Sequence, residues 1–267
     1  MSKKNKFLSL LQYEASRNFI IILLNSLITM MFTIFIYCRN IFSFVDGINW
    51  RIAPEEFIHG IALRNLGINN ETTYTFFLEF LLVLIFSIFI WAREFYFEHK
   101  TSYRTLSLPV KRFNFILSKS LVVWLFFAMF LLGQFFSIII NWFILRVKVG
   151  SSVNIGVNYL SKALFDNIRY DFISMNIANL IVMFIIIFAI SLVGALVVFL
   201  KQSFGVRGII FWILYVAFSI WIFLYIPVFK LHLFAIEFLL LYTMGLLIYI
   251  GITFWIDNYL INKKVNV

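Results

Sequence analysis

Six stretches of about twenty residues, each apolar almost without interruption, constrain this chain more than any other feature. They run roughly from Asn18 to Cys38, Thr75 to Ala92, Lys119 to Leu145, Ser174 to Leu200, Gly208 to Ile226 and Leu233 to Trp255. A helix of that length crosses a hydrocarbon core of about 30 Å, whereas a barrel strand alternates apolar and polar residues over only about ten positions. Composition points the same way, with 63% apolar and 13% charged residues against about a half and a quarter in soluble domains. Mean hydropathy is +0.98. The expected fold class is therefore all-α, a polytopic membrane protein with six transmembrane helices in a single domain over residues 1–267. The first run is too long for a cleavable signal peptide and is not followed by a small-x-small cleavage pattern.

The basic residues orient such a chain. Lys3, Lys4, Lys6 and Arg17 precede the first run; Arg93, Lys100, Arg104, Lys111, Arg112 and Lys119 lie between the second and third; Lys201 and Arg207 lie between the fourth and fifth; Lys263 and Lys264 close the chain. These fourteen outnumber the eight on the opposite side, which are diluted by Asp46, Glu55, Glu56, Glu71, Asp166 and Asp171. The bias predicts a multi-pass protein of the cell (plasma) membrane with both termini in the cytoplasm. The net charge of +10 is then a topology signal, and it gives no reason to expect nucleic-acid binding.

Segments between the runs carry further expectations. Phe7, Leu8, Leu10, Leu11 and Ala15 repeat at helical spacing among Lys3, Lys4, Lys6, Glu14 and Arg17, which predicts an N-terminal amphipathic helix lying in the inner interface. The long segments Arg39 to Tyr74 and Arg146 to Ile173 hold scattered apolar residues and are expected to form a small outer cap. Between the second and third runs, WAREFYFEHKTSYRTLSLPVKRF has no Gly or Pro before Pro109, so the second helix can continue outward. Pro109 stops it, and a new helix should start just beyond. This predicts a cytoplasmic helix-turn-helix dense in aromatic and basic residues.

Here the sequence resembles a family. Glu98, Thr101, Leu106, Ser107, Pro109, Val110 and Arg112, followed by Lys119, are similar to a motif in the membrane-spanning permease subunit of type 2 ABC exporters. The whole plan is similar too, although Lys100 stands where a Gly is frequent and the outer segments are longer than usual. The resemblance implies that the connection is a coupling helix docking on a separate ATP-binding subunit. Glu94, Glu98, Lys100, Arg104 and Arg112 would then make polar contacts, with Phe95, Phe97 and Tyr103 as apolar anchors and Pro109 as the stop. It also implies two ATPase subunits, which would hold ATP and Mg, and a second permease subunit, identical or related. This chain binds no cofactor on that reading, since nothing in it fits Gly-x4-Gly-Lys-Ser/Thr. The cargo expected from composition is apolar or amphipathic, first a peptide such as a toxin or bacteriocin, then a lipid or lipophilic drug.

Within the runs, Glu79 and Glu237 are candidates for a substrate path or gate, because an acid in the membrane is costly unless paired, protonated or hydrated. Gln134 and Asn141, with Asn25, Asn176 and Asn179, are expected to hydrogen-bond between helices. Trp50, Trp91, Trp142, Trp255, Tyr13, Tyr74 and Tyr259 fall near run ends and read as an aromatic belt. Gly194, Gly245 and Gly251 allow close helix approach. Cys38 is the single cysteine and cannot form an intrachain disulfide. Neither His-Glu-x-x-His nor an intramembrane Ser and His pair is present, so no catalytic or metal site is expected. An ion-driven carrier would place charges near the middle of the runs, and none is there.

Overall fold

A computed structural model describes residues 3–45, 70–97, 112–149, 177–228 and 235–263. All but Gly205 are helical, with no strand among the described residues. The helices are α1 (Lys3–Val45), α2 (Asn70–Ala92, continued by a π-helical turn, Arg93–Phe97), α3 (Arg112–Val149), α4 (Ile177–Phe204), α5 (Val206–Val228) and α6 (Ala235–Lys263). Among the described residues, four stretches are long and apolar enough to cross a membrane: Phe7–Arg39, Phe113–Val147, Leu180–Phe204 and Leu240–Asn262. Val206–Trp221 is a shorter apolar helix. This is the build of a helical membrane protein.

The distribution of side chains supports that assignment. Along α1, Ile20 is 71% exposed, Met31 67% and Phe35 65%, while Asn18, Ser26, Thr29 and Thr33 are buried. A soluble helix does the reverse. Large apolar residues outside and polar ones inside suit a solvent of lipid tails, where polar groups must find partners within the protein.

The N-terminal stretch departs from expectation. No separate interfacial helix precedes the first span, because α1 runs unbroken from Lys3 to Val45. Its polar side is also inverted: Glu14 and Asn18 are buried, and Leu8 and Tyr13 are more than half exposed. Neither Gly nor Pro occurs in this stretch to end the helix, and Glu14 is held by charge pairs within the protein rather than by headgroups.

The chain divides into two compact units. The first comprises Met1–Asn18, Leu81–Trp124 and Val182–Val267. Its apolar core joins Trp91, Phe115, Leu192, Leu196, Phe199 and Ile261. Trp91 meets Phe199 and Phe115 edge-on, with ring centroids 5.0 and 5.4 Å apart, and is 1% exposed. It is therefore core and not part of an interfacial belt. Gly194 lets α4 approach α2 closely, since a Cβ there would collide with the Ser87 side chain. Ser87 in turn donates to the Ser191 carbonyl at 2.9 Å. By contrast, Gly245 and Gly251 have nothing within 4 Å of a built Cβ among the described residues, so they do not mark close approaches. Helices α4 and α5 are joined through Gly205 alone, at φ 61°, with its N–H donating to the Lys201 carbonyl at 2.8 Å. That is a left-handed helix cap, which glycine adopts without strain.

The second unit comprises Phe19–Phe80 and Leu125–Ile181. In it α1 and α3 meet where Ser26 Oγ donates to the Met129 carbonyl at 2.6 Å. A Cβ at Gly133 would lie 2.8 Å from Ser26 Oγ and 2.9 Å from the Ser26 carbonyl oxygen, so glycine is required there. The expected outer cap falls almost wholly outside the described residues.

Candidate functional site

Five charged side chains are gathered inside the first unit, at the start of α1, the end of α2 and the start of α3. On α1, Glu14, Arg17 and Asn18 are spaced three and four residues apart and so share a face. Arg93 and Glu94 come from the π-helical turn, a wider turn often found at functional sites. Lys119 comes from the second turn of α3. Glu14, Asn18 and Lys119 have no exposed surface, and Glu94 and Arg93 retain 1% and 9%.

Lys119 is the hub. Its Nζ donates to Glu94 Oε1 at 2.8 Å, to Glu14 Oε1 at 3.3 Å and to the Ile90 carbonyl at 3.5 Å. The same ammonium lies 5.2 Å from the Trp91 ring centroid and 5.0 Å from that of Phe115. Around it, Arg93 Nη1 donates to Asn18 Oδ1 at 3.1 Å. Arg93 also pairs with Glu14, and Arg17 with Glu94, each at 3.8 Å. Asn18 Nδ2 donates back to the Glu14 carbonyl at 2.7 Å. Three cations thus face two carboxylates.

Charges taken out of water are stable only when closely paired, and losing one partner strands the other. The Glu94 carboxyl shows the strain of this position. It is raised to about 7, chiefly by burial, with Lys119 pulling it down and Glu14 beside it pushing it up. The cluster ties three helix ends together through paired charges. No group of three or more His, Cys, Asp or Glu able to hold a metal occurs among the described residues.

The second unit holds a different polar array. Glu79 is fully buried and accepts a 2.8 Å hydrogen bond from Asn25 Nδ2. One and two turns on along α1, Thr29 donates to the Asn25 carbonyl at 2.8 Å and Thr33 to the Thr29 carbonyl at 2.9 Å. The Thr33 hydroxyl also reaches Gln134 Oε1 at 3.1 Å. Glu79 Oε2, Gln134 Nε2 and Asn141 Oδ1 are buried without a hydrogen-bond partner among the described residues. The array is a lane of neutral groups carrying one acid.

The residues expected at a docking face divide into two sets. Glu94 and Phe95 do not form a free surface: Glu94 is paired inside the cluster, and Phe95 packs against the core with its ring 6.1 Å from Phe199. The physical reason is that an acid at this depth is stable only beside Lys119 and Arg17. Phe97 ends the π-helical turn and Arg112 opens α3. Glu98, Lys100, Tyr103, Arg104 and Pro109 lie outside the described residues. Among the path candidates, Glu79, Gln134 and Asn141 belong to the lane, and Glu237 falls in the first turn of α6.

Sequence reasoning missed Glu14, Arg17, Asn18 and Arg93 as members of one site. Glu14, Arg17 and Asn18 visibly share a helical face, which reads as the wet side of a surface helix, and nothing local joins Arg93 to it. Asp257, in α6, is also fully buried. Comparison with protein-family models, curated proteins and solved structures finds no match to this chain.

Proposed function

We propose that this chain is the membrane subunit of an ATP-driven exporter of the type 2 ABC kind. The observation that carries this reading is the 2.8 Å ion pair between Glu94 and Lys119, which brackets the segment resembling the family's coupling helix. A push on residues 98–111 would reach the end of α2 through Glu94 and the start of α3 through Lys119. It would reach α1 as well, because Glu14 and Arg17 share the same charges. A tightly paired buried cluster suits this task, since it moves as a rigid body.

On this reading the six helices are six spans, both termini face the cytoplasm, and two copies or two related subunits pair with two ATPase subunits holding ATP and Mg. Closure of the ATPases rocks the helices and alternates access to the cargo path. The lane from Glu79 and Asn25 to Gln134 and Asn141 supplies hydrogen-bonding groups for that path, which fits an amphipathic cargo such as a peptide ahead of a lipid or lipophilic drug.

Affinity purification of the tagged chain from its native membrane tests the proposal. It should bring down an ATPase with a phosphate-binding loop, and Phe97→Ala combined with Glu98→Lys should release it. A preparation without such a subunit, or a complex that survives both changes, overturns the reading. Cysteines introduced at Ser102 and Asn69 test the topology, with Ser102 labelled only from inside and Asn69 only from outside.

Glu79 favours a second reading, an ion-driven carrier, because a wholly buried acid in an apolar helix can exchange a cation. Transport that continues in vesicles without ATP but collapses with an ion gradient would select it.

A further inference from the structure

Helix α6 carries a second polar face that neither the ion cluster nor the lane uses. Tyr249, Thr253 and Asp257 follow at four-residue intervals and so form one stripe. Its first two members are saturated. Thr253 Oγ1 donates to the Tyr249 carbonyl at 2.8 Å and meets the Tyr215 hydroxyl of α5 at 2.6 Å. Tyr215 and Tyr249 stack, with ring centroids 5.6 Å apart and planes 16° apart. On α5, Ser219 Oγ donates to the Tyr215 carbonyl at 2.6 Å.

Asp257 is the exception. It has no exposed surface, and neither carboxyl oxygen has a hydrogen-bond partner among the described residues. One turn further along, Leu260 and Ile261 are buried in the apolar core. The titratable groups on its stripe and the facing helix, Tyr249 and Tyr215, are engaged with Thr253 and with each other. Among the described charged groups of the same unit, Glu14, Arg17, Arg93, Glu94 and Lys119 make ion pairs within their own cluster, and Lys201 lies 4.3 Å from the centroid of the Tyr96 ring. A bare carboxylate in such surroundings is far less stable than the neutral acid.

We propose that Asp257 is a proton-binding site, holding a proton while its face of α6 is closed as in this structure and releasing it when that face opens to water. On opening, the carboxyl O–H bond breaks, the proton passes to an entering water molecule, and a hydrated carboxylate remains. On closing, the carboxylate takes a proton back before it is buried. Any movement that exposes this stripe is thereby tied to one proton, whichever force drives it. The proposal rests on neither of the readings above, and its test needs no partner subunit.

The chain has four aspartates, Asp46, Asp166, Asp171 and Asp257. The full chain, carrying aspartate 13C-labelled at the side-chain carboxyl, is reconstituted in lipid bilayers at neutral pH and examined by infrared spectroscopy. One labelled carbonyl should absorb as a neutral acid, and Asp257→Asn should remove that band without touching the carboxylate bands. Four carboxylate signals, or a neutral-acid band that persists in Asp257→Asn, overturn the proposal. Should that variant fail to fold, joint replacement of Asp46, Asp166 and Asp171 by Asn decides instead: the neutral band must remain as the only labelled carboxyl signal.

Discussion

The charge cluster of the first unit and the lane of the second bury polar groups by opposite means. In the first, five full charges are locked to one another around Lys119. In the second, hydroxyls lean on the carbonyls of their own helix, as Thr29 does on Asn25 and Thr33 on Thr29, and one acid is met by one amide. A hydroxyl bonded to its own helix keeps a partner however the neighbouring helix moves, so a lane of this kind can slide or admit a ligand cheaply. Charges have no such freedom, because each needs a particular neighbour. The contrast separates groups that each need a particular partner from groups that carry a partner in their own helix.

The largest way to break the contrast is Lys119→Met. It leaves Glu14 and Glu94 buried without their shared cation and should cost about 3–5 kcal/mol, read as a lowered unfolding midpoint in denaturant. Adding Glu14→Gln and Glu94→Gln should recover most of that loss. If the single variant costs no more than a surface change, the cluster does not tie the helix ends together.

Glycines sharpen the comparison next. Gly133→Ala and Gly194→Ala each drive a methyl group into a serine of the facing helix and should cost about 1–3 kcal/mol. Gly245→Ala meets open space and should stay within about 0.5 kcal/mol in the same unfolding assay. Equal effects at all three positions would refute the packing described for α1 with α3 and α2 with α4.

In the lane, Thr33→Val removes the hydroxyl that reaches Gln134. A hydrogen bond between helices in a membrane is worth about 0.6 kcal/mol, so this variant should be several-fold milder than Lys119→Met. Comparable losses would mean that the two units do not differ in kind.

The smallest effect concerns pH. Glu94 sits at about 7 in the folded chain against 4.5 ordinarily, so the folded state holds its proton more tightly than the unfolded state does. The stability this contributes is fully present below the ordinary carboxyl value and is lost as pH rises through about 7. Glu94→Gln should flatten that slope between pH 4.5 and 7. An unchanged slope would assign the titration to another group.

The helices were legible in the sequence because an apolar run of twenty residues leaves little choice of structure; the stop read at Pro109 lies outside the described residues, between Phe97 and Arg112. The interior was less legible. Helical periodicity shows that Glu14, Arg17 and Asn18 share a face but does not say which face is inward, and soluble-protein habit chose the wrong one. Trp91 read as an interfacial anchor because it closes a run, yet its ring lies against Lys119 and Phe199. Glu94 and Phe95 looked available for docking because nothing local signals a partner twenty-five residues away. Gln134 and Asn141 read as amides that bond between helices; Gln134 Oε1 does accept from Thr33, whereas Asn141 is buried with its Oδ1 unpartnered among the described residues.

The single-residue turn at Gly205 bears on how the protein is made. With so short a tether, and with Trp212 Nε1 donating to the Val193 carbonyl across the hairpin at 2.9 Å, α4 and α5 have no slack to form apart from one another. On the six-span reading proposed above, they would be released into lipid as a pair. A longer residue at Gly208, pressed against the backbone of Leu200 and Lys201, would then be felt first during synthesis, as a hairpin that cannot close.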